Sequence, residues 1–436
     1  METKLHLISE MAVKDRKCKF NNLIHLLSVT GLTECFYQLK RDKASGVDGV
    51  SFTEYEKSLD ANLKELVARM KTFSYRPQSV RRAYIPKAKG KPRPLGIPAI
   101  EDKIVQMGIA RILTAIYEAD FLECSYGFRP GLSCHDALNT LDKILMKHPI
   151  NHVIDADIKG FFDNVNHDWL LRCLKERISD NSLLRYIVRF LKSGVLEEGK
   201  YYKTEKGTPQ GGIISPILAN IYLHYVLDLW FKIVIKRTSR GIVEMVRYAD
   251  DFVICVQYQD EAARILVELR ERLEKFGLEL SAEKTKVIGF GRFAVENAKK
   301  KDHRAGTFNF LGFTHYCDKT RKGKFKVGRT TERTRLRAKL KEMKDWLKAV
   351  RNTAPAKEWW STIGAKLMGH FQYYGVSGNY RALQRFYYLT IRMVFKWLNR
   401  RSQKQSYNWE SFNIYLKRHP LPKPKIYHNF YTLYSY

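Results

Sequence analysis

The chain has 436 residues, 44% of them hydrophobic, which is long and apolar enough for two or three domains with sizeable cores. Its 77 Lys and Arg against 45 Asp and Glu give a net charge of +32, which points to a polyanionic partner, most simply nucleic acid. Seven scattered cysteines with no Cys-x-x-Cys pair argue against a zinc site or disulfide framework and for a reducing compartment. The N-terminus has no signal-peptide pattern. The longest apolar stretch, residues 213–235, is interrupted by Asn220, His224, Asp228 and Lys232, so a buried helix is expected there rather than a membrane span.

Residues 1–38 are basic with a helical pattern of Leu23, Leu26, Leu27, Phe36 and Leu39. Residues 44–55 form a glycine-bearing loop that ends in a helix start, where Thr53 and Glu56 fit a capping box. Residues 75–100 hold Arg81, Arg82, Lys87, Lys89, Lys91 and Arg93 between short apolar pairs, with a basic hairpin turn at 87–92. Such a turn can fold over a triphosphate, or can be a solvated turn touching only nucleic-acid backbone. Residues 104–117 are helix-periodic, 125–131 a loop, and Ser133 is a plausible cap for the helix after it.

Residues 153–158 alternate apolar and acidic, a strand that places Asp155 and Asp157 on one face. Gly160-Phe161-Phe162-Asp163 follows, and Asn166-His167 opens a helix. A further helix is expected over 181–192 and a strand over 201–204. The glycines of Thr208-Pro209-Gln210-Gly211-Gly212 permit close backbone approach, and Ser215-Pro216 opens a long helix to about Trp230.

Tyr248-Ala249-Asp250-Asp251 lies between two apolar, β-rich runs and predicts a hairpin with two carboxylates at its tip. Neighbouring carboxylates stay ionised together when a cation lies between them and a partner, and all-oxygen ligands suit magnesium. Two-metal phosphoryl transfer takes carboxylates from separate strands around ions about 3.5–4 Å apart. Asp157 with Asp250 and Asp251 supplies that set; Asp155 and Asp163 are rivals by spacing, and an ordinary Asp-Asp surface turn is the plain alternative.

Residues 260–276 predict an amphipathic helix closed by Gly277. From residue 319 onward 27 Lys and Arg meet 5 Asp and Glu, a net of +22, over two-thirds of the whole excess. Residues 331–350 predict a helix with Leu336, Leu340, Met343 and Leu347 on one stripe and basic residues elsewhere; Pro355 starts a second, and 380–399 a third with Leu383, Tyr387, Ile391, Val394 and Leu398 inward. Their aromatic residues are expected in the core for the most part.

Residues 153–167, Gly207-Thr208-Pro209-Gln210-Gly211-Gly212 with Ser215-Pro216, and residues 247–251 together resemble the reverse transcriptases of group II introns, the intron-encoded maturases. The resemblance runs in order from about residue 44 to the C-terminus. It implies an α+β right-hand polymerase: an N-terminal extension (1–36), fingers and palm with antiparallel sheet (37–316), an α-helical thumb or maturase domain (317–400) and a basic tail (401–436). It implies that Asp157, Asp250 and Asp251 are catalytic and bind two Mg2+ ions, with Mn2+ a possible substitute. It implies that Phe162 gates the incoming sugar, that Lys87 and Arg93 take the dNTP phosphates, and that Gln210 lies beside the dNTP.

Lys284, in residues 278–286, has two readings, neutralising active-site phosphates or a salt bridge within the palm. Arg129 also has two, near template or paired with a palm carboxylate. Ser281 stands where the family often carries Asn, and keeps a hydrogen-bonding group. Phe308-Asn309-Phe310-Leu311-Gly312-Phe313 looks like the primer-grip hairpin, and Arg333, Arg335, Arg337 and Lys341 fall in the duplex-gripping thumb. The implied partners are group II intron RNA, an RNA template with a DNA or RNA primer, target DNA and dNTPs, with no membrane, in the cytoplasm of a bacterium at the nucleoid. No His/Cys endonuclease motif follows Cys317, so no second-strand nick is expected. An intron-independent polymerase in DNA repair or phage defence, and a splicing cofactor without polymerase activity, are the rival readings.

Overall fold

The computed structural model describes residues 1–85, 92–208, 211–300, 305–353, 355–401 and 406–431. The chain divides into two compact units, the first of Met1–Ala137, Ala156–Ile254 and Asp260–Lys286, the second of Leu138–Asp155, Cys255–Gln259 and Val287–Tyr436. Helices and mostly antiparallel sheets make the fold α+β, as expected.

The first unit opens with α1 (Glu2–Lys14) and α2 (Val29–Tyr37), both packed on the apolar helix α5 (Ile100–Tyr117). Arg177, 2% exposed, ties α1 in place by donating to the Arg16 carbonyl (2.6 Å) and to Asp120 (2.7 Å). Between them run α3 (Phe52–Glu56) and α4 (Leu59–Lys71). The cap of α3 is Ser51, which accepts from the Glu54 amide, and not Thr53. The helix has to start early because Phe52 is buried, stacked on Phe36 at 4.2 Å.

Strands β1 (Val80–Ile85) and β2 (Arg93–Ile97) form an antiparallel hairpin with Ile85 opposite Arg93. Then come α6 (Cys134–Lys147), β3 (His152–Asp157), α7 (Phe161–Asn164), α8 (His167–Lys175) and α9 (Asn181–Leu191). Asn166 caps α8 by accepting from Trp169, and Asp136 and Ser133 bond each other at the start of α6. Short strands β4 (Val195–Glu197) and β5 (Lys200–Tyr202) extend the β2-β1 hairpin into a sheet of order β2-β1-β4-β5.

The long helix does not stop near Trp230. It runs from α10 (Ser215–Leu223) through two π-helical turns, His224–Asp228 and Phe231–Ile235, to α11 (Lys236–Thr238). Every residue from Ile217 to Leu223 is buried, so its apolar length is taken up inside the unit, as the polar interruptions led us to expect. β6 (Val243–Tyr248) and β7 (Asp251–Val256) follow, then α12 (Gln259–Lys275) and β8 (Lys286–Gly289), in a sheet of order β6-β7-β3-β8.

In the second unit, α13 (Ala294–Lys300) precedes the three-stranded sheet β11-β10-β9, made of β9 (Phe308–Phe310), β10 (Phe313–Lys319) and β11 (Phe325–Thr331). The three expected helices are α14 (Arg333–Val350), α15 (Ala356–Tyr374) and α16 (Tyr380–Leu398). The inward face of α16 differs from the expectation: Phe386, Thr390 and Trp397 are buried, while Tyr387 and Ile391 are half-exposed. A run of four-residue steps drifts off the 3.6-residue helical period, and alternating steps of three and four keep to it. The tail also has a helix that was not foreseen, α17 (Trp409–Arg418), closed at its start by an Asn408–Ser411 capping box. Beyond it, Leu421 and Phe430 are buried.

Candidate active site

Val243, Met245 and Val246 on β6 and Phe252 to Val256 on β7 are buried, which fixes the hairpin's register and leaves its tip to carry the polar residues. The tip is strained: Ala249 has φ +58°, a left-handed conformation that costs about 1–2 kcal/mol for a residue with a Cβ. Three neighbours hold it. Gly127 lies so close that a Cβ there would sit 2.3 Å from the Ala249 nitrogen. The Tyr126 amide donates to the Arg247 carbonyl (2.9 Å) and the Arg247 amide to the Cys124 carbonyl (2.7 Å).

The third neighbour is the Arg247 side chain, which is fully buried. Its Nε and one terminal nitrogen clasp Asp228 at 2.8 and 2.5 Å. The latter nitrogen also donates to Ser125 Oγ at 2.7 Å. The other terminal nitrogen reaches Asn220 at 3.1 Å and the Ala249 carbonyl at 2.9 Å. All five N–H donors are therefore used, and Asn220 in turn donates to the Gly127 carbonyl at 2.7 Å. This hub was missed in the sequence. The signal was there: Asn220 and Asp228 on an otherwise apolar helix need buried partners.

Asp157 ends β3, and its carbonyl accepts from the Ser281 amide at 2.8 Å, a backbone bond that any residue but proline could make at 281. The Asp250 carboxyl is pushed above its ordinary range chiefly by burial, then by the charge of Asp157; Arg93 and Arg247 pull it back down. Asp157 is thus the strand carboxylate whose charge acts on Asp250. Asp251 opens β7 and is exposed; Asp163 is exposed on α7. Lys284 Nζ lies 2.8 Å from Asp157 Oδ2, the second of its two readings.

Phe162 is half-buried, edge-on to Phe161 at 5.3 Å, and its carbonyl accepts from the Thr208 amide at 2.7 Å. Gly207, at φ +87°, packs where a Cβ would meet the Phe162 and Asp163 carbonyl oxygens at 2.8 Å, so the glycine-rich loop lies directly against α7. Arg93 is exposed on β2, and Lys87 and Gln210 lie outside the described residues. Arg129 is the clasp of its own loop: it holds Glu118 through two nitrogens (2.8 and 2.6 Å) and the carbonyls of Leu122 and Ser125. In the second unit, Arg333, Arg335, Arg337 and Lys341 are all exposed along α14.

The description of the reverse transcriptase (RNA-dependent DNA polymerase) family matches residues 85–315, more than half of the chain. The chain belongs to that family. The Group II intron-encoded protein LtrA of Lactococcus lactis subsp. cremoris is 35% identical over 271 residues, 59% of this chain and 45% of LtrA. Protein YkfC of Escherichia coli is 33% identical over 322 residues, 67% of this chain and 81% of YkfC. A 91 kDa protein of a cob intron in Schizosaccharomyces pombe is 32% identical over 296 residues, 56% of this chain and 35% of that protein. The chain thus spans about half the length of LtrA, and the resemblance to intron-encoded reverse transcriptases read from the motifs is borne out.

Reverse transcriptases use divalent metal ions, and this member of the family has residues that fit one. Asp250 is a half-buried carboxylate repelled by Asp157, and an ammonium group already sits on Asp157 in the manner of a counter-cation. Among the described residues no three acidic, His or Cys side chains are already gathered as a cage.

Proposed function

We propose that this reverse transcriptase is a group II intron-encoded RNA-directed DNA polymerase that copies RNA into cDNA and binds its intron RNA to assist splicing and mobility. The observation that carries the reading is the match of residues 85–315 to the reverse transcriptase family, with Asp157, Asp250 and Asp251 all inside the matched segment. Asp157, Asp250 and Asp251 would hold two Mg2+ ions, replaceable by Mn2+, which lower the pKa of the primer 3′-hydroxyl and hold the leaving oxygens.

The remaining roles belong to the chain's own side chains. Arg93, whose charge already reaches Asp250, would clamp a phosphate together with Lys87. Phe162 would reject a 2′-hydroxyl and so select dNTPs, with Gln210 beside the sugar. Lys284 would exchange Asp157 for a triphosphate oxygen. Residues 37–316 would act as fingers and palm and the helices of 317–400 as thumb, with Arg333, Arg335, Arg337 and Lys341 toward the nucleic-acid backbone. The partners would be intron RNA, a primed RNA template and target DNA, at the nucleoid of a bacterial cytoplasm. Bacterial relatives such as LtrA and YkfC and the charge of +32 support this setting.

Primer extension tests the reading. Purified protein with a primed RNA template, Mg2+ and dNTPs is expected to extend the primer, and Asp250→Ala/Asp251→Ala to extend none. If neither protein extends while both bind structured RNA, the polymerase reading fails and the splicing-cofactor reading replaces it.

A further inference from the structure

The inner side of α16 packs through Leu383, Phe386, Val394 and Trp397. The outer side is a row of cations, Arg381, Arg385, Arg392 and Lys396, with Tyr388 in its middle. The steps of four, three, four and four residues keep the row on one face, about 22 Å long at 1.5 Å per residue. The helix contains no Asp or Glu, and among the described residues none of the four cations lies within 4 Å of a carboxylate.

Tyr388 is 58% exposed, with the Arg392 guanidinium 5.7 Å from its ring centre. An exposed ring within a row of cations can take a base on its face while the cations take the phosphates on either side. The basic row of α14 is different: its one ring, Trp346, is half-buried beneath Lys366 at 5.3 Å, so that helix offers charge alone.

We propose that the outer face of α16 binds an unpaired stretch of RNA, the cations following its phosphates and Tyr388 stacking on a base. Charge alone would suit duplex and single strand equally. The ring decides between them, because in a duplex the base faces are covered by their neighbours, whereas a splayed base offers a face to an aromatic side chain. The choice of RNA rests on the polymerase reading; the choice of an unpaired strand rests on α16 itself.

The test is binding of the full chain to an unpaired oligoadenylate and to an RNA duplex with the same number of phosphates, followed by fluorescence anisotropy. Tyr388→Ala is expected to weaken the unpaired oligomer roughly 5- to 150-fold and to leave the duplex within twofold. Tyr388→Phe, which keeps the ring, is expected to bind as the unmodified chain does. Replacing Arg381, Arg385 and Arg392 by Ala is expected to make the slope of log affinity against log salt shallower by about two on the unpaired strand. Equal losses on both nucleic acids, or none with Tyr388→Ala in a protein of unchanged circular dichroism, would overturn the proposal. A preparation that extends no primer yet shows the Tyr388-dependent preference would sink the polymerase reading and leave this one standing.

Discussion

The carboxyl of Asp250 is held above the usual range by burial first and by Asp157 second, so its charged form is a burden on the folded chain. A folded-state pKa above the unfolded one means that the folded chain retains a proton the unfolded chain gives up. Stability from this group is therefore lost as the pH rises through the carboxylate range, and the cost is absent below it. Asp250→Asn should abolish primer extension and at the same time raise the melting temperature, on the order of 2 °C. The gain should vanish at acid pH and open as the pH climbs through the carboxylate range. Mg2+ should raise the melting temperature of the unmodified chain and not that of the variant. Melting curves across pH, with and without the ion, measure both, and a variant that melts with the unmodified chain at every pH would refute the argument. In the sequence, apolar runs bracket Asp250 and Asp251, alternation puts Asp155 and Asp157 on one strand face, and only the family resemblance singles out Asp157 of that pair. The sequence could not reveal that Asp250 is half-buried while Asp251 beside it is exposed, since that depends on what packs around the turn.

At the scale of elements, the hairpin that carries Asp250 and Asp251 is a strained turn held from outside. Its left-handed Ala249 is kept by Gly127 on one side and by Arg247 on the other, with Asp228 and Asn220 behind. Gly127→Ala would force a methyl group to 2.3 Å from the Ala249 nitrogen, a backbone atom that can yield only by moving the turn. A shift near 1 Å at reacting groups costs about 100-fold, so extension should fall by that order while circular dichroism is unchanged. Wild-type rates for the variant would mean that the turn tolerates displacement. Most helices and the strands around residues 153–158 and 243–256 could be read from local periodicity, whereas β4, β8 and β11 were not foreseen. The hub could not: Ser125 and Asp228 lie 122 and 19 residues from Arg247 in sequence and meet only through the fold. The misread inner face of α16 has a local cause. Its aromatic and aliphatic residues occur on more than one side, so apolarity alone does not orient the helix, and the row of cations opposite is the better guide.

For the whole molecule, the uneven charge is the property that matters. Residues 319–436 carry +22 of the net +32, and α14 and α16 display much of it outward. Binding to structured RNA should therefore be strongly salt-dependent: with six or more phosphate contacts, affinity falls about 10³-fold or more between 50 and 200 mM salt. A shallow dependence in titrations at several salt concentrations would show that shape or stacking, not charge, dominates. The asymmetry was plain in the sequence because counting charges needs no fold. The packing of the tail was not, since Leu421 and Phe430 are isolated apolar residues in a polar segment, and only the surface beneath them explains their burial.

The interleaving of the two units has a consequence for how the chain is made. Leu138–Asp155 belongs to the second unit, whose main part begins only at Val287. Leu138, Leu141, Leu145, Ile150, Val153 and Ile154 are all fully buried in the finished protein. On the ribosome these side chains emerge early and wait for more than a hundred residues before the bulk of their unit follows. At synthesis rates of about 5–20 residues per second that is roughly 7–26 s, far longer than hydrophobic collapse takes. During that interval an apolar segment waits for most of the unit it joins, and transiently exposed apolar surface of that kind makes an incomplete chain prone to aggregate.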